Sequence, residues 1–160
     1  MADAVLTFQN FSSPFAVRGG GHMPHAGAAN INSTGVLLST ASLSQVELSD
    51  DRKTVNVGPG NRWVDVYKGL EPYGLTVVGG RLGVVGVPGL LLGGGVSFFG
   101  NEYGWASANI ASYTVCILLS VSGAHGKVLI ETVRPGQRKG GRSQSRQRVF
   151  GSLLGSPWWR

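Results

Sequence analysis

The sequence predicts an α+β domain, because short β-prone runs alternate with three helical segments and with glycine-rich loops. The chain has 160 residues, of which 42% are apolar, enough for a single domain with its own core. The 26 glycines come in clusters without a fixed period, which excludes collagen and solenoid repeats and favours turns and ligand-binding loops. Cys116 is the only cysteine, so the chain has no internal disulfide and no cysteine-based zinc site.

The positive charge of the chain is concentrated at its C-terminal end. The whole chain carries a net charge of +6, but residues 1–126 sum to −1 and residues 127–160 to +7. Residues 135–148 are nearly all Gly, Gln, Ser, Arg and Lys, a composition typical of a disordered basic tail. The chain is therefore a nearly neutral apolar body followed by a basic segment.

The first elements are a helix, two short strands and a long loop. Residues 2–10 predict a helix, and the apolar run at 15–17 predicts a buried strand. Residues 19–32 are rich in Gly, Ala, Asn and Pro and predict a loop, which is followed by a strand at 36–38.

The middle of the chain predicts a hairpin followed by an amphipathic helix. Residues 46–48 and 54–57 flank a polar loop, and Asn61 is a favourable N-cap for the segment that follows. In that segment the apolar residues stand at i, i+3, i+4 and i+7, which predicts one buried helix face. These residues are Trp63, Val66, Tyr67 and Leu70.

The remaining segments predict strands separated by a short helix and a loop. A strand is expected at 75–78 and a short helix after Pro88, because proline suits the first helical turn. Residues 97–103 are expected to form a loop, and residues 110–121 and 128–133 are strongly β-prone.

The segment from Arg18 to His22 is the strongest candidate for a functional loop. Three glycines follow an apolar run and precede a histidine. Successive glycine N–H groups can form a concavity that suits a phosphate, and the histidine can act as a ligand or a base. The same string is also compatible with a simple tight turn.

Four strings in the chain together resemble one protein family. They are Phe15-Ala16-Val17-Arg18-Gly19-Gly20-Gly21-His22, Val57-Gly58-Pro59-Gly60, Val78-Gly79-Gly80-Arg81 and Gly86-Val87-Pro88-Gly89-Leu90-Leu91-Leu92-Gly93-Gly94-Gly95. Their order and spacing, over about residues 4–115, resemble the FAD-linked oxidoreductases of the vanillyl-alcohol oxidase type, whose cofactor domain is called PCMH-type. The fungal, berberine-bridge-enzyme-like branch is the most similar.

The resemblance implies a partial PCMH-type FAD-binding domain, a small α/β lobe plus the start of a second lobe, with a disordered basic C-terminal tail. It implies hydride transfer from a small organic substrate to flavin N5, with reoxidation by oxygen or another acceptor. No residue matches a family base. A metal site at His22 and His25 is not expected, because no carboxylate or cysteine lies near them in the sequence. The cofactor-binding residues that the resemblance implies are Arg18, Gly19, Gly20, Gly21, His22, Met23, Gly80, Gly86, Val87, Gly89, Gly93, Gly94, Asn109 and Ile110.

Some positions of the family pattern are changed in this chain. The R-S-G-G-H loop of the family reads with Gly19 in place of serine, and the family's histidine, matching His22, is often the covalent attachment point of the flavin. The segment 83–86 has no cysteine, so a second, cysteinyl link is excluded. His25 matches no motif position and is interpreted as a bystander or a substrate-side residue.

We assign residues 1–126 to a partial FAD-binding domain and residues 127–160 to a basic tail outside the family pattern, because the resemblance fails after about Val115. Family members continue with the motif Asp-Leu-Phe-Trp-Ala-Leu-Arg-Gly-Gly-Gly, which the codons of residues 150–160 permit in a reading frame shifted by one base. We therefore interpret the basic tail as out-of-frame or mis-spliced sequence. The nucleotide sequence tests this interpretation.

Two alternatives to a working oxidoreductase stay open. The chain could bind FAD without turnover, or it could bind nucleic acid through its basic tail, although it has no recognised nucleic-acid motif. The apolar run 84–99 is too short and too rich in glycine for a membrane span. Members of the family are often secreted, but residues 1–20 lack the pattern of a signal peptide.

Overall fold

The computed structural model describes the backbone of residues 2–119, 127–133 and 146–151, and the side chains of residues 3–114. The α-helices of this part of the chain are α1 Ala2–Asn10, α2 Trp63–Leu70, α3 Val87–Leu92 and α4 Gly100–Tyr103. Short 3-10 helices lie at Glu71–Tyr73 and Ala106–Asn109. The strands are β1 Phe15–Arg18, β2 Val36–Ser39, β3 Val46–Leu48, β4 Thr54–Val57, β5 Leu75–Val77, β6 Ile110–Leu119, β7 Lys127–Val133 and β8 Arg146–Gly151. This mixture confirms the α+β prediction.

The strands form two sheets. Strands β1 and β2 pair in parallel, with Phe15 opposite Val36 and Arg18 opposite Ser39. The larger sheet has the order β3-β4-β8-β6-β7, and β5 also pairs with β8. The predicted hairpin is confirmed, since β3 and β4 pair antiparallel with Val46 opposite Val57.

The core forms where helix α2 packs on the hairpin and on β5. The predicted apolar face is confirmed, because Trp63, Val66 and Leu70 are fully buried. They join a cluster that includes Val55 of β4 and Val77 of β5. Burial of each such side chain contributes about 1.5–3 kcal/mol to the free energy of folding. Because the helix is anchored in the core in this way, the loops at its two ends start from fixed positions.

The N-terminus of α2 differs from the prediction, because the N-cap residue is Arg62 and not Asn61. The Asn61 side chain is buried and donates hydrogen bonds to the carbonyl oxygens of Gln45 and Gly58, both at 3.0 Å. It therefore joins two loops across the hairpin instead of capping the helix. The Asp65 carboxylate accepts a hydrogen bond from the Arg62 backbone N–H at 3.0 Å.

Three further expectations are changed by the structure. Strand β1 is only partly buried, with Val17 53% exposed, because it lies in a sheet of two strands. Within 97–103, expected to be a loop, Gly100–Tyr103 forms the single turn α4. Within the basic segment, Arg146–Gly151 forms β8. Its backbone pairs with β4, β5 and β6, and such pairing does not require the apolar periodicity that this segment lacks. Residues 134–145 and 152–160 of that segment lie outside the described residues.

Candidate functional site

The four strings that resemble the family are called motifs one to four below. The first and fourth motifs meet at the contact between Gly20 and Gly86. A Cβ atom placed on Gly20 would lie 2.5 Å from the Gly86 nitrogen, and one placed on Gly86 would lie 2.5 Å from the Gly20 nitrogen. Neither position has room for a side chain, so both glycines are required for two stretches of backbone to touch. We call this contact the Gly20–Gly86 junction.

The second motif is joined to the same loop through the side chain of Thr40. Thr40 is buried, and its hydroxyl group lies within hydrogen-bond distance of the carbonyl oxygens of Arg18 and Pro59, at 3.1 and 3.0 Å. A Cβ on Gly19 would lie 3.0 Å from Cγ of Pro88 and 3.7 Å from the Pro59 carbonyl oxygen. Gly19, which replaces the family's serine, therefore stands against the proline ring of the fourth motif.

The third motif rests on the aromatic face of helix α2. A Cβ on Gly80 would lie 2.6 Å from Cδ1 of Trp63 and 2.8 Å from Cδ1 of Leu90. The Tyr67 hydroxyl donates a hydrogen bond to the Gly80 carbonyl at 2.8 Å. Burial raises the pKa of Tyr67 to about 12, because the charged phenolate is poorly solvated there. The hydroxyl therefore keeps its proton, and its role as a donor, to a higher pH than an exposed tyrosine does.

The triple glycine at the end of α3 is fixed by the segment after α4. The carbonyls of Gly94 and Gly95 accept hydrogen bonds from the N–H groups of Ser107 and Ala106, both at 2.9 Å. The Asn109 amide is buried and donates to the carbonyls of Tyr103 and Trp105 at 2.9 and 3.0 Å. The side chain of Asn109 therefore supports the local backbone.

A cavity of about 400 Å³ opens beside the Gly20–Gly86 junction. Its lining combines glycine backbone with cationic and polar side chains, and among the described residues it contains no carboxylate. Two guanidinium groups and uncovered loop backbone suit a ligand that carries phosphate groups. The lining residues are Arg18, Gly19, Gly20, Gly21, Met23, His25, Gly27, Ala29, Asn30, Ser39, Ala41 and Arg62.

The structure brings together some of the predicted site residues and leaves others apart from the cavity. Arg18, Gly19, Gly20, Gly21 and Met23 line it. His22 is exposed and is not among the lining residues. The other predicted residues that are not among the lining residues are Gly80, Gly86, Val87, Gly89, Gly93, Gly94, Asn109 and Ile110.

Seven lining residues are not among the predicted cofactor contacts, and two of them, His25 and Arg62, have side chains that can carry a positive charge. His25, interpreted from the sequence as a bystander or a substrate-side residue, lies in the cavity wall. Arg62 had no predicted role, although its side chain reaches Gly20 across 42 positions of sequence. The one feature of the sequence that points to Arg62 is its position in the turn between the second motif and the predicted helix. Within the described residues, no group of three or more His, Cys, Asp or Glu residues could hold a metal ion, and no helix is long and apolar enough to cross a membrane.

The fold and the cavity, with its glycine backbone and two guanidinium groups, are compatible with a domain that binds a phosphate-carrying cofactor. Residues 1–117 match a family model described as an FAD binding domain. Because this match covers more than half of the chain, the chain belongs to the FAD-linked oxidoreductases with this domain, and FAD is its cofactor. The Gly20–Gly86 junction and the cationic cavity fit such a cofactor, since a backbone cradle and two guanidinium groups suit a diphosphate.

Curated fungal relatives are similar over the same part of the chain. The FAD-dependent monooxygenase prx3 of Penicillium roqueforti is 49% identical over 118 residues, which are 73% of this chain and 23% of the relative. The FAD-dependent monooxygenase tpcD of Cochliobolus heterostrophus is 49% identical over 117 residues, 73% of this chain and 22% of the relative. The chain therefore spans about a quarter of the length of these relatives.

Solved structures of this type show the same fold. A crystal structure of 6-hydroxy-D-nicotine oxidase from Arthrobacter nicotinovorans has a TM-score of 0.75 at 24% identity, over 94% of this chain and 34% of the oxidase. The BBE-like 1 variant D396N from Physcomitrella patens has a TM-score of 0.71 at 25% identity, over 94% of this chain and 34% of that chain. These likenesses confirm the predicted PCMH-type fold, and the family-model match over residues 1–117 confirms the predicted family.

Proposed function

We propose that the chain holds FAD in a flavin-dependent oxidoreductase that oxidises a small organic substrate. When bound, FAD supplies a hydride acceptor at N5, and the electrons pass on to oxygen or to another acceptor. The observation that carries the proposal is the Gly20–Gly86 junction, where two glycine loops touch beside a cavity lined by Arg18 and Arg62. The role of these residues is to bind and orient the cofactor.

The first motif is the proposed diphosphate site. Gly21 has a φ of +64°, a left-handed conformation that glycine adopts without strain. Alternation of such a residue with ordinary backbone turns successive N–H groups towards one anion. The cation of Arg18 stands beside this loop, since a Cβ on Gly21 would lie 3.2 Å from the Arg18 Cδ. Met23 completes this side of the site.

The third and fourth motifs are the proposed isoalloxazine side of the site. Gly86 and Val87 lie at the junction and at the start of α3, where backbone groups can approach a flat ring closely. The residues assigned to this side are Gly80, Gly86, Val87, Gly89, Gly93 and Gly94. Asn109 and Ile110 are assigned to the adenine end, where the Asn109 amide supports the backbone.

His22 is the proposed covalent attachment point of the flavin. Its side chain is exposed, so a ring nitrogen is accessible to a cofactor seated in the loop. The ring nitrogen would replace one hydrogen of the flavin 8α-methyl group. A C–N bond to His22 would take the place of one C–H bond of the methyl group, and two electrons and two protons, one proton from the methyl group and one from the imidazole N–H, would be passed to oxygen, giving hydrogen peroxide. A covalent link prevents loss of the cofactor.

The test is purification of the full chain with FAD, followed by acid precipitation. We expect a yellow protein whose flavin fluorescence stays with the precipitate, and we expect H22A to release its flavin into the supernatant. Flavin released by acid from the unchanged chain would contradict the covalent link but not FAD binding. A colourless protein that does not bind added FAD would contradict the proposed function.

A second candidate is an FAD-binding chain without turnover. A substrate-side base is not among the residues that the family motifs assign here. Flavin reduction by a substrate of a full-length relative, followed anaerobically at the flavin absorbance band, separates the two candidates: bleaching supports the oxidoreductase, and an unchanged spectrum supports the binding chain.

A further inference from the structure

Arg62 contacts both glycine loops of the site at once. Its guanidinium Nη2 donates a hydrogen bond to the Gly20 carbonyl oxygen at 3.3 Å. Its backbone forms a β-bridge with Gly86, and next to it the Val87 N–H donates to the Asn61 carbonyl at 3.1 Å. One residue therefore holds the two sides of the Gly20–Gly86 junction together.

The hydrogen bond to Gly20 controls the direction of a neighbouring donor. The Gly20 carbonyl and the Gly21 N–H belong to one planar trans peptide group and point in opposite directions. Fixing the carbonyl towards Arg62 therefore fixes the Gly21 N–H in the opposite direction. Within the described residues this N–H makes no hydrogen bond, so it is available to a ligand.

The position of Arg62 is itself fixed by helix α2. Its backbone N–H donates to the Asp65 carboxylate at 3.0 Å, and its carbonyl accepts from the Asp65 N–H at 3.0 Å. The next residue, Trp63, is fully buried in the core. The guanidinium therefore extends from a rigid helix start, and the loop that it holds is attached to that helix.

We propose that Arg62 is a positioning residue for the diphosphate of the cofactor. It holds the Gly20 peptide so that the Gly21 N–H, on the opposite side of that peptide, is turned to the anion. This inference rests on the proposed function, because it assumes that the loop binds a diphosphate.

The test compares R62M, R62K and the control R52M in the full chain. Arg52 lies in the hairpin loop, where its guanidinium stands 5.9 Å from the Tyr73 ring centroid, remote in sequence from the glycine loops. Every chain compared, the otherwise unchanged one included, carries H22A, so that FAD binds without a covalent link. Binding of FAD is measured by quenching of flavin fluorescence, and binding of ADP, which carries the diphosphate without the flavin ring, by displacement of FAD. Melting temperatures without ligand are measured for each variant.

We expect R62M to weaken both FAD and ADP by about tenfold, in keeping with the loss of one hydrogen bond from a charged donor. We expect R62K to lose about threefold, because an ammonium group lacks the planar fork that fixes the direction of the bond. R52M should bind like the unchanged chain. If R62M does not fold, R62K carries the test.

Several results would overturn the inference. R62M binding both ligands like the unchanged chain would show that Arg62 has no role at the site. R62M losing FAD but not ADP would place its effect away from the diphosphate. R62K binding like the unchanged chain would show that a positive charge alone is sufficient. If the unchanged chain binds neither ligand, the proposed function fails, and this inference fails with it.

Discussion

The core around helix α2 and the Gly20–Gly86 junction are built on opposite principles. In the core, large side chains fill space, with Trp63, Val66 and Leu70 fully buried. At the junction, the lack of side chains lets two backbone segments touch. The core therefore supplies stability, whereas the junction supplies a surface of backbone donors whose arrangement depends on that core.

The largest expected effect is on the core side. We expect W63A to lower the free energy of unfolding by about 3–5 kcal/mol, because it removes a fully buried ring against which Gly79 and Gly80 pack. Urea denaturation followed by circular dichroism measures this. K68A, on the exposed face of the same helix, is the control, and equal losses in both variants would contradict the assignment of the core.

The junction should respond next most strongly. We expect G86A to cost about 1–3 kcal/mol of unfolding free energy, because the new methyl group meets the Gly20 backbone. G89A is a matched control three residues away, since a Cβ there meets nothing within 4 Å. We expect G89A to leave the urea midpoint unchanged or slightly higher. A G86A midpoint equal to that of G89A would show that the loops do not touch.

The hydrogen bond from Tyr67 to Gly80 links the two regions, and Y67F should cost about 1 kcal/mol at neutral pH. The raised pKa of Tyr67, about 12, also predicts a pH dependence. The folded chain holds this proton more tightly than the unfolded chain, so its contribution is complete below pH 10 and is lost as the pH rises towards 12. Urea midpoints at pH 8 and pH 11 measure this.

The prediction is tested by comparing how much stability the unchanged chain and Y67F each lose between the two pH values. The unchanged chain should lose more stability than Y67F between pH 8 and pH 11, because Y67F has no phenol to ionise. Identical losses in the two chains would contradict the burial of this hydroxyl.

The smallest expected effect concerns Gly19 and Pro88. We expect G19S to cost up to about 1 kcal/mol, because its Cβ lies 3.0 Å from Cγ of Pro88 and the ring must shift. In P88A that atom is absent, so G19S should cost less in the P88A background. A double-mutant cycle of urea midpoints measures the coupling. A coupling of zero would show that the serine-to-glycine change at 19 is unrelated to Pro88.

The sequence predicts the side-chain-built region better than the backbone-built one. The spacing of Trp63, Val66 and Leu70 carries a period, and the structure confirms the helix face that this period predicts. Gly20 and Gly86 have no side chains, so they contribute nothing to a hydrophobic periodicity from which their contact could be predicted. Four motifs in order predicted the family, but the contact between the first and the fourth becomes visible only in three dimensions.

The wrong or missing predictions share a physical cause, because each depends on contacts between residues that are far apart in the sequence. Asn61 suits an N-cap by composition, but its amide is used by carbonyls from two other loops. Arg62 gave no local signal, because its partner is 42 positions away and is a backbone carbonyl. Strand β1 carries an apolar run but lies in a sheet of two strands, which leaves Val17 half-exposed.

The most direct test of the central claim is a fluorescence titration of FAD with the full chain and with G20A and G100A, all carrying H22A so that FAD binds reversibly. Gly100 is the control, because a Cβ there meets nothing within 4 Å. The Gly20–Gly86 junction as flavin site predicts that G20A loses FAD binding by at least about tenfold while G100A binds like the unchanged chain. Equal FAD affinity in G20A and G100A would contradict it.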